Sequence, residues 1–349
     1  FLDSHQHPLS QDSLQRLEQT LIKGNRKYSP HWTEVEAIQQ KVKITHAICF
    51  PDNTEEVFEV TSTVRLGDLV QEIGERLHFI STDGFSLVVA IQDKTIALSN
   101  NEFLFDAIQE ICTWIANDNL TKKGGPKPRF LYELLFMRKV WMTMVPGRDR
   151  QADTICHYPQ ELPKYMLGYQ KCSKSDAILL AALIYRATFG DSLLELQNNS
   201  KKVIANLVPP FLLKLQSIKE WKKVIIEAYN NNSALSSEDA KIEFLKFVFP
   251  WSTFGSAFFD VKQMTDQQRF PEDITLAINK NGVFILDSQT REPLTLYPYT
   301  ELTNWSSGRS TFTLNIGSVK LLCYTKLGYK MDDLITSYTA LISPPNNGL

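Results

Sequence analysis

The adjacent pair Cys156-His157 has the residue types of a catalytic nucleophile and its base. A thiolate nucleophile needs a base within hydrogen-bond reach and usually a third group that orients that base. Neighbouring positions on a helix point to different faces, so this pair cannot form a dyad within one helix. No triad of nucleophile, base and orienting group can be assembled from the sequence. We therefore interpret both residues as packing residues and expect that the chain is not an enzyme.

Two further motifs carry groups that could bind a metal ion or a phosphate. His5-Gln6-His7 could chelate a metal only with further ligands, and no cysteine or carboxylate pattern supplies them. Gly124-Gly125 lies among lysines but lacks the G-x-x-x-x-G-K-[ST] spacing of a nucleotide-binding loop. We expect no metal and no cofactor, and we interpret the two glycines as part of a linker.

The composition is that of an ordinary soluble globular protein. Its 349 residues, 43% of them hydrophobic and 22% charged, predict two or three domains. A net charge of −2 argues against general nucleic-acid binding, which needs a positive surface. Five scattered cysteines favour free thiols in a reducing compartment, and no apolar run reaches the roughly 20 residues of a membrane span. The first residues lack a signal peptide, so we expect a cytoplasmic segment from inside a longer protein.

The elements that would position functional residues group into a leading segment and three lobes. In residues 1–40, Ser10 can cap a helix that ends at Gly24, and its apolar stripe should belong to another domain or pack on the next lobe. The first lobe begins with a strand hairpin and ends with strands that include a buried one over 85–91. Between them lies an amphipathic helix with Leu66, Leu69, Val70, Ile73 and Leu77 on one face. This is the element order of a ubiquitin-like β-grasp.

Glycines and prolines between residues 121 and 128 predict a linker, after which the pattern is helical. Ser173 and Asp176 form a capping-box pattern before an apolar helix, which we expect to be buried on nearly all sides. Pro209-Pro210 breaks the next helical stretch, and Pro250 ends the last one. The second lobe is therefore predicted to be a helical bundle.

The third lobe returns to the period of two that is typical of strands. Asn281-Gly282 predicts a hairpin, because these residues accept positive φ angles. A closing helix is predicted over 331–342, with Asp332 and Asp333 in its first turn. Strands followed by one helix indicate a pleckstrin-homology or phosphotyrosine-binding (PH/PTB) sandwich. A β-grasp, a helical bundle and such a sandwich, in this order, predict an α+β fold of the three-lobed FERM type.

Several longer stretches, which together cover essentially the whole chain, resemble the C-terminal MyTH4–FERM region of class VII myosins. The resemblance favours the brush-border member of the class over the inner-ear member. It departs from the family in two places: only about the last 40 residues of MyTH4 are recognisable, and the connection at Gly317-Ser318 is short. The matching stretches are Asn25–Tyr28, Glu34–Ile38, Tyr158–Tyr165, Thr253–Phe259, Asn304–Gly308 and Leu327–Leu334.

The resemblance implies four segments and a function in docking other proteins. Residues 1–40 would be the end of MyTH4 and a linker, and 41–119 the ubiquitin-like F1 lobe. Residues 120–252 would be the F2 lobe, a bundle like acyl-CoA-binding protein, and 253–349 the PH/PTB-like F3 lobe. The motor ATPase would lie elsewhere in the full-length protein.

The groove beside the closing helix of the third lobe is the first predicted partner site. PTB-type sandwiches accept an extended peptide there by strand addition. We expect exposed helix positions such as Ser337 to matter more than the inward face of Leu334 and Tyr338, and Trp305 to be either a contact or a packing anchor. The predicted partner-binding residues are Asn304, Trp305, Ser306, Ser307, Leu334, Ser337, Tyr338 and Leu341.

The implied partner is a PDZ scaffold of the harmonin type, connected indirectly to protocadherins and ankyrin-repeat scaffolds. Its setting would be actin-rich protrusions such as brush-border microvilli. A second hypothesis is peripheral contact with phosphoinositide membranes through a cleft between F1 and F3. Acids interspersed with the lysines favour a solvated surface instead. The cleft residues would be Lys41, Lys43, Lys320 and Lys326.

Overall fold

The computed structural model describes residues 8–119, 130–264 and 270–342. The chain divides into two compact units. The first unit comprises residues 1–77 and 85–137, and the second comprises residues 78–84 and 138–349. Within the described ranges, no helix combines the length and the apolar character of a bilayer span.

The first unit is built on a five-stranded mixed sheet with the strand order β2-β1-β5-β3-β4. The predicted hairpin, helix and buried strand are all confirmed, and the four buried apolar side chains of α3 lie on its predicted inner face. The strands are β1 (Ile44–Cys49), β2 (Glu55–Val60), β3 (Phe85–Ile91), β4 (Lys94–Ala97) and β5 (Glu133–Arg138). The helices are α1 (Pro8–Lys23), α2 (Trp32–Gln40), α3 (Leu66–Arg76) and α4 (Leu104–Asn119).

Strand β5 corrects the predicted boundary between the first two lobes. It pairs in parallel with β1, with Ile48 opposite Leu134, so it completes the sheet of the first lobe. The predicted boundary at residues 119/120 separates this strand from its lobe, because the glycines and prolines between residues 121 and 128 were interpreted as the end of the lobe. The predicted linker at 121–128 lies outside the described residues.

Within the first unit, the leading segment contacts the first lobe through polar side chains. Arg26 pairs with Glu34 of α2 and, at 2.9 Å, with Asp106 of α4. Helix α1 begins at Pro8, so Ser10 does not cap it as predicted; it ends at Lys23, before the expected stop residue Gly24, whose φ angle is +91°. Its apolar stripe does not pack on the first lobe, since the side chains are 47–81% exposed: Leu14, Leu17, Leu21 and Ile22.

The second unit begins with a helical bundle around the buried Trp221. The Ser173–Asp176 capping box at the start of α7 is confirmed, and α7 is buried on most sides as predicted. A single π-helical turn, Asp153–His157, joins α5 to α6. The helices are α5 (Arg150–Ala152), α6 (Tyr158–Met166), α7 (Lys174–Phe189), α8 (Leu194–Asn198), α9 (Ser200–Ala205), α10 (Pro210–Leu213), α11 (Ile218–Asn231) and α12 (Ser237–Val248).

A seven-stranded antiparallel sheet and one helix complete the second unit, as predicted for the third lobe. The sheet order is β10-β11-β12-β6-β7-β8-β9, which leaves β10 and β9 as its edges. The strands are β6 (Ala257–Gln263), β7 (Asp273–Asn279), β8 (Gly282–Asp287), β9 (Pro293–Tyr297), β10 (Leu302–Ser307), β11 (Thr311–Ile316) and β12 (Val319–Tyr324). The helix is α13 (Gly328–Ile342).

Two local predictions in this lobe need correction. The β7–β8 hairpin is confirmed, with Lys280 and Asn281 as the two turn residues between the paired Asn279 and Gly282. Positive φ angles were expected at both Asn281 and Gly282, but of these two only Gly282 has one. Helix α13 begins at Gly328 rather than at Met331, after the Thr325 hydroxyl accepts the Leu327 N–H. Asp332 and Asp333 therefore lie one turn further in than predicted.

Candidate functional site

A groove runs between the edge strand β10 and helix α13 of the second unit. On one side, β10 pairs with β11 through one of its edges only, with Trp305 opposite Leu314. The backbone N–H and C=O groups of its outer edge can therefore receive another strand. On the other side, α13 buries Met331, Ile335 and Tyr338 against the sheet. This is the region in which the sequence predicted a partner site.

Two side-chain hydrogen bonds link β10 to α13. The Trp305 indole Nε1–H donates to Thr336 Oγ1 at 3.0 Å, and Ser307 Oγ donates to Asp332 Oδ2 at 2.8 Å. Both helix residues lie on one stripe, four positions apart, so they face the same strand. We call Asp332 and Thr336 the groove stripe.

The groove stripe was not identified from the sequence. Asp332 was interpreted through the helix dipole, and Thr336 was not singled out. The i, i+4 spacing of Asp332 and Thr336 on the helix was the available signal. The sequence alone does not show that this stripe faces β10, because that depends on how the helix packs against the strand.

Tyr338, predicted as a binding residue on the inward face of the helix, does lie inward; its role in binding stays a prediction. Its side chain is fully buried, and its ring stacks on Tyr299 with 5.5 Å between the ring centroids. Its hydroxyl accepts a hydrogen bond from the backbone N–H of Trp141 at 3.2 Å. Burial raises the pKa of Tyr338 to about 12. The residue anchors α13 to the start of the helical bundle.

The other predicted groove residues divide between the groove and its surroundings. Asn304, Ser306 and Ser307 are exposed on β10, and Trp305 is half-buried against the sheet core. Leu334 is half-buried and packs on the same core. Leu341 is 58% exposed at the end of α13, which leaves it available for contact.

Ser337 lies on a different helix stripe from the one that faces β10. Its hydroxyl donates to the Asp333 carbonyl at 2.7 Å, and the Asp333 carboxylate pairs with Lys139 at 2.6 Å. The structure thus brings Thr336 rather than Ser337 to the strand. Burial lowers the pKa of Lys330, a residue of the same helix.

The four lysines of the predicted cleft belong to different units. Lys41 ends α2 in a left-handed conformation, and Lys43 pairs with Glu59 at 2.7 Å; both are in the first unit. Lys320 and Lys326 are exposed in the second unit. The cleft between the lobes stays a prediction.

His157 is engaged in a buried network with Asp153 and Arg138. Its Nδ1 lies 2.7 Å from Asp153 Oδ1, and its Nε2 lies 3.2 Å from Arg138 Nη1. The π-helical turn places Asp153 and His157 on the same side, and burial lowers the pKa of both His157 and Arg138. Both ring nitrogens of His157 are thus within hydrogen-bond distance of residues other than Cys156.

Metal binding finds no support in the described ranges. No cluster of three or more His, Cys, Asp or Glu side chains there could hold an ion. His5 and His7 lie outside the described residues.

Three family models match successive parts of the chain. Residues 42–138 match the RA like domain, residues 148–259 match the FERM central domain, and residues 259–343 match the PTB domain of IRS-1 type. Their order confirms the predicted succession of the three lobes.

Curated relatives match almost the whole chain. It is 47% identical over 347 residues to myosin-VIIa of Drosophila melanogaster, with 98% of the chain covered. It is 43% identical over 344 residues to unconventional myosin-VIIb of Mus musculus, with 97% covered. The chain spans only 16% of the length of each of these two relatives.

Solved structures of myosin tail domains also match almost the whole chain. The human myosin 7b C-terminal MyTH4–FERM domain, solved in complex with the harmonin-a PDZ3 domain, is 42% identical with a TM-score of 0.89. The match covers 96% of this chain and 68% of that one. The MyTH4–FERM MF1 domain of Dictyostelium discoideum myosin VII, at 16% identity and a TM-score of 0.69, shares the fold.

Proposed function

We propose an adaptor-binding function for this chain, which belongs to the C-terminal MyTH4–FERM tail family of class VII myosins. The similar identities to myosins VIIa and VIIb leave the choice between these members a prediction. The adaptor would be a PDZ scaffold of the harmonin type. The observation that carries this proposal is the 42% identical structure, at a TM-score of 0.89, that was solved with a harmonin PDZ domain.

The groove between β10 and α13 offers a physical basis for docking. An extended segment that pairs with β10 would gain backbone hydrogen bonds along an edge strand of six residues. Its side chains would lie over the groove stripe. Because the Trp305–Thr336 and Ser307–Asp332 bonds are exposed, their rearrangement should cost about 1 kcal/mol each.

The wider setting is part of the same proposal. Through the scaffold, the chain would be connected to protocadherins and ankyrin-repeat scaffolds in actin-rich protrusions such as brush-border microvilli. ATP hydrolysis by a motor would take place outside this chain. This setting is supported by membership of the myosin family. The chain corresponds to 16% of its relatives' length, so the motor would lie in the remaining part.

Isothermal calorimetry of the purified chain with each PDZ domain of a harmonin-type scaffold tests the partner. We expect at least one domain to bind at micromolar concentration. Absence of heat with every domain at that concentration would contradict the adaptor proposal.

A blocked groove tests the site. Thr336→Arg places a long charged side chain on the groove stripe and should weaken binding at least about tenfold, a loss of about 1.4 kcal/mol. The matched control is Thr113→Arg, the same substitution at an exposed threonine of a helix in the first unit. Equal affinities for Thr336→Arg and Thr113→Arg would contradict the groove as the binding site. They would not contradict the adaptor as the partner.

A further inference from the structure

Strand β2 forms one edge of the five-stranded sheet in the first unit. Its six residues pair with β1 on one side and, within the described ranges, with no strand on the other side. Backbone N–H and C=O groups on the free side of an edge strand can pair with another extended chain. The outer side of β2 is therefore a template for strand addition, in addition to the groove of the second unit.

The other edges of the two sheets are protected or already assigned. Strand β9 begins at Pro293 and is followed directly by Pro298, and proline interrupts strand pairing because it has no N–H group. Strand β4 has only four residues and begins with Lys94, and both features are common protections of an edge. Strand β10 borders the groove described above. Strand β2 contains neither proline nor lysine, so it lacks these protections.

Val57 lies in the middle of this edge. Its side chain is 59% exposed, on the sheet face opposite to that of the buried Phe58. Its carbonyl oxygen accepts a hydrogen bond from Arg76 Nη1 at 2.9 Å, and Arg76 is an exposed residue of α3. An exposed side-chain bond of this kind contributes little net stability, so an incoming backbone N–H can replace it.

The same edge carries negative charge. Residues 44–60 contain four acids and no lysine or arginine. Glu55 and Glu59 are exposed on the same sheet face as Val57, two positions away on either side. Glu59 pairs with Lys43 at 2.7 Å, but both side chains are more than half exposed, so this pair is weak. We call Glu55, Val57 and Glu59 the acidic edge.

The negative charge extends from β2 across the sheet to β5. Glu55 lies opposite Cys49 of β1, and the exposed Glu133 begins β5. Burial raises the pKa of the Cys49 thiol, and the charges of Glu55 and Glu133 raise it further. Both carboxylates therefore lie close to the same point of the sheet face.

Pairing with a second copy of this chain is disfavoured at the acidic edge. Antiparallel pairing of two β2 strands centred on Val57 would place Glu55 of each copy opposite Glu59 of the other. Like charges that lie directly opposite each other destabilise a strand pair, whereas opposite charges stabilise it. The acidic edge therefore selects a basic partner.

We propose that the acidic edge docks an extended basic protein segment by strand addition to β2. The segment would carry lysine or arginine opposite Glu55 and Glu59, with an apolar residue opposite Val57 between them. These three side chains occupy every second position of the segment, because they lie on one face of the added strand. The proposal is independent of the adaptor proposal, which concerns the groove of the second unit.

Nuclear magnetic resonance of the full chain labelled with ¹⁵N-valine tests the proposal. The probe is the capped peptide Thr-Lys-Thr-Val-Thr-Lys-Thr, added up to millimolar concentration. A second peptide replaces both lysines by glutamate, and a third replaces the central Thr-Val-Thr by three prolines. We expect the lysine peptide to shift the amide signal of Val57 and the glutamate peptide to leave it unchanged. The proline peptide should bind at least about tenfold more weakly, because it keeps both charges but loses three N–H groups.

A charge swap separates recognition at this edge from a general effect of charge. The double variant Glu55→Lys with Glu59→Lys should lose at least about tenfold in affinity for the lysine peptide and should gain affinity for the glutamate peptide. The matched control is Glu18→Lys with Glu36→Lys, at exposed positions of α1 and α2 in the same unit. At physiological ionic strength it should change either affinity less than about twofold. Unchanged thermal midpoints show that the variants remain folded.

Three outcomes would overturn the proposal. The first is a Val57 signal that responds equally to the lysine and glutamate peptides, or to neither. The second is equal binding of the lysine and proline peptides, which would reduce the interaction to charge alone. The third is that Thr336→Arg abolishes binding of the lysine peptide while the charge swap leaves it unchanged, which would place the peptide in the groove of the second unit.

Discussion

Tyr338→Phe separates the role of Tyr338 in packing from a role in partner binding. The substitution removes only the hydroxyl that accepts the Trp141 N–H at 3.2 Å, in a site where Tyr338 is fully buried and Trp141 is 3% exposed. A buried N–H that loses its partner costs about 1–3 kcal/mol, and the smaller phenyl ring recovers part of this loss. We expect the second unit to lose about 1–2 kcal/mol of stability, or roughly 2–8 °C in Tm.

Urea unfolding followed by tryptophan fluorescence measures this loss. Four of the six tryptophans lie in the second unit, so the signal reports mainly on it. Ser337→Ala on the same helix is the control, because the Ser337 hydroxyl donates to the Asp333 carbonyl of the preceding turn, and its effect should stay within about 0.5 kcal/mol. Affinity for the adaptor should be unchanged in both variants.

Two results would refute this reasoning. An unchanged unfolding midpoint for Tyr338→Phe would mean that the hydroxyl does not stabilise the contact with Trp141. A tenfold weaker adaptor affinity at unchanged stability would return Tyr338 to the partner surface, as the sequence first predicted.

Three further predictions concern stability. The pKa of His31 is lowered from 6.5 to about 4, chiefly by burial. Between these pH values the unfolded chain binds a proton at His31 and the folded chain does not, so the first unit should lose stability as pH falls from 6.5 to 4. His31→Asn keeps a side-chain acceptor to cap α2 and should reduce that pH dependence in urea titrations, while the contribution of His46, whose pKa burial also lowers, remains. An equal pH dependence of stability in both proteins would contradict this. Gly255→Ala should lower Tm by several degrees, since the new Cβ would lie 2.9 Å from Trp141 and the φ angle is +69°; an unchanged midpoint would show that this backbone can adjust. Above pH 10 the second unit should lose up to about 1.4 kcal/mol per pH unit for each phenol whose pKa burial raises, because the unfolded chain ionises first; a constant urea midpoint to pH 11 would contradict this. Among the described residues of this unit, burial raises the pKa of seven phenols: Tyr158, Tyr165, Tyr169, Tyr185, Tyr229, Tyr299 and Tyr338.

The fold was predictable where hydrophobic periodicity and capping are local signals. The buried face of α3, the capping box at Ser173 and the continuous apolar strand β3 are each encoded within one short window. Strand β5 was missed because its pairing with β1 joins residues far apart in sequence, and the intervening glycines and prolines gave a stronger local signal. Long-range strand pairing is not a property of any single window.

The candidate site was predictable as a region but not residue by residue. Resemblance indicated the edge strand around Trp305 and the closing helix, and the structure brings the two together. Which helix stripe faces the strand depends on where α13 begins and how it rotates against the sheet. For that reason Thr336 replaces Ser337 at the strand, and Tyr338 becomes a buried anchor.

Hydrogen–deuterium exchange of the chain, with and without the harmonin-type scaffold, tests the central claim most directly. Strand addition to the outer edge of β10 should protect backbone amides between Leu302 and Ser307 and leave the opposite edge strand β9 unchanged. Protection confined to other elements, with β10 exchanging at its free rate under saturating scaffold, would contradict docking in the groove.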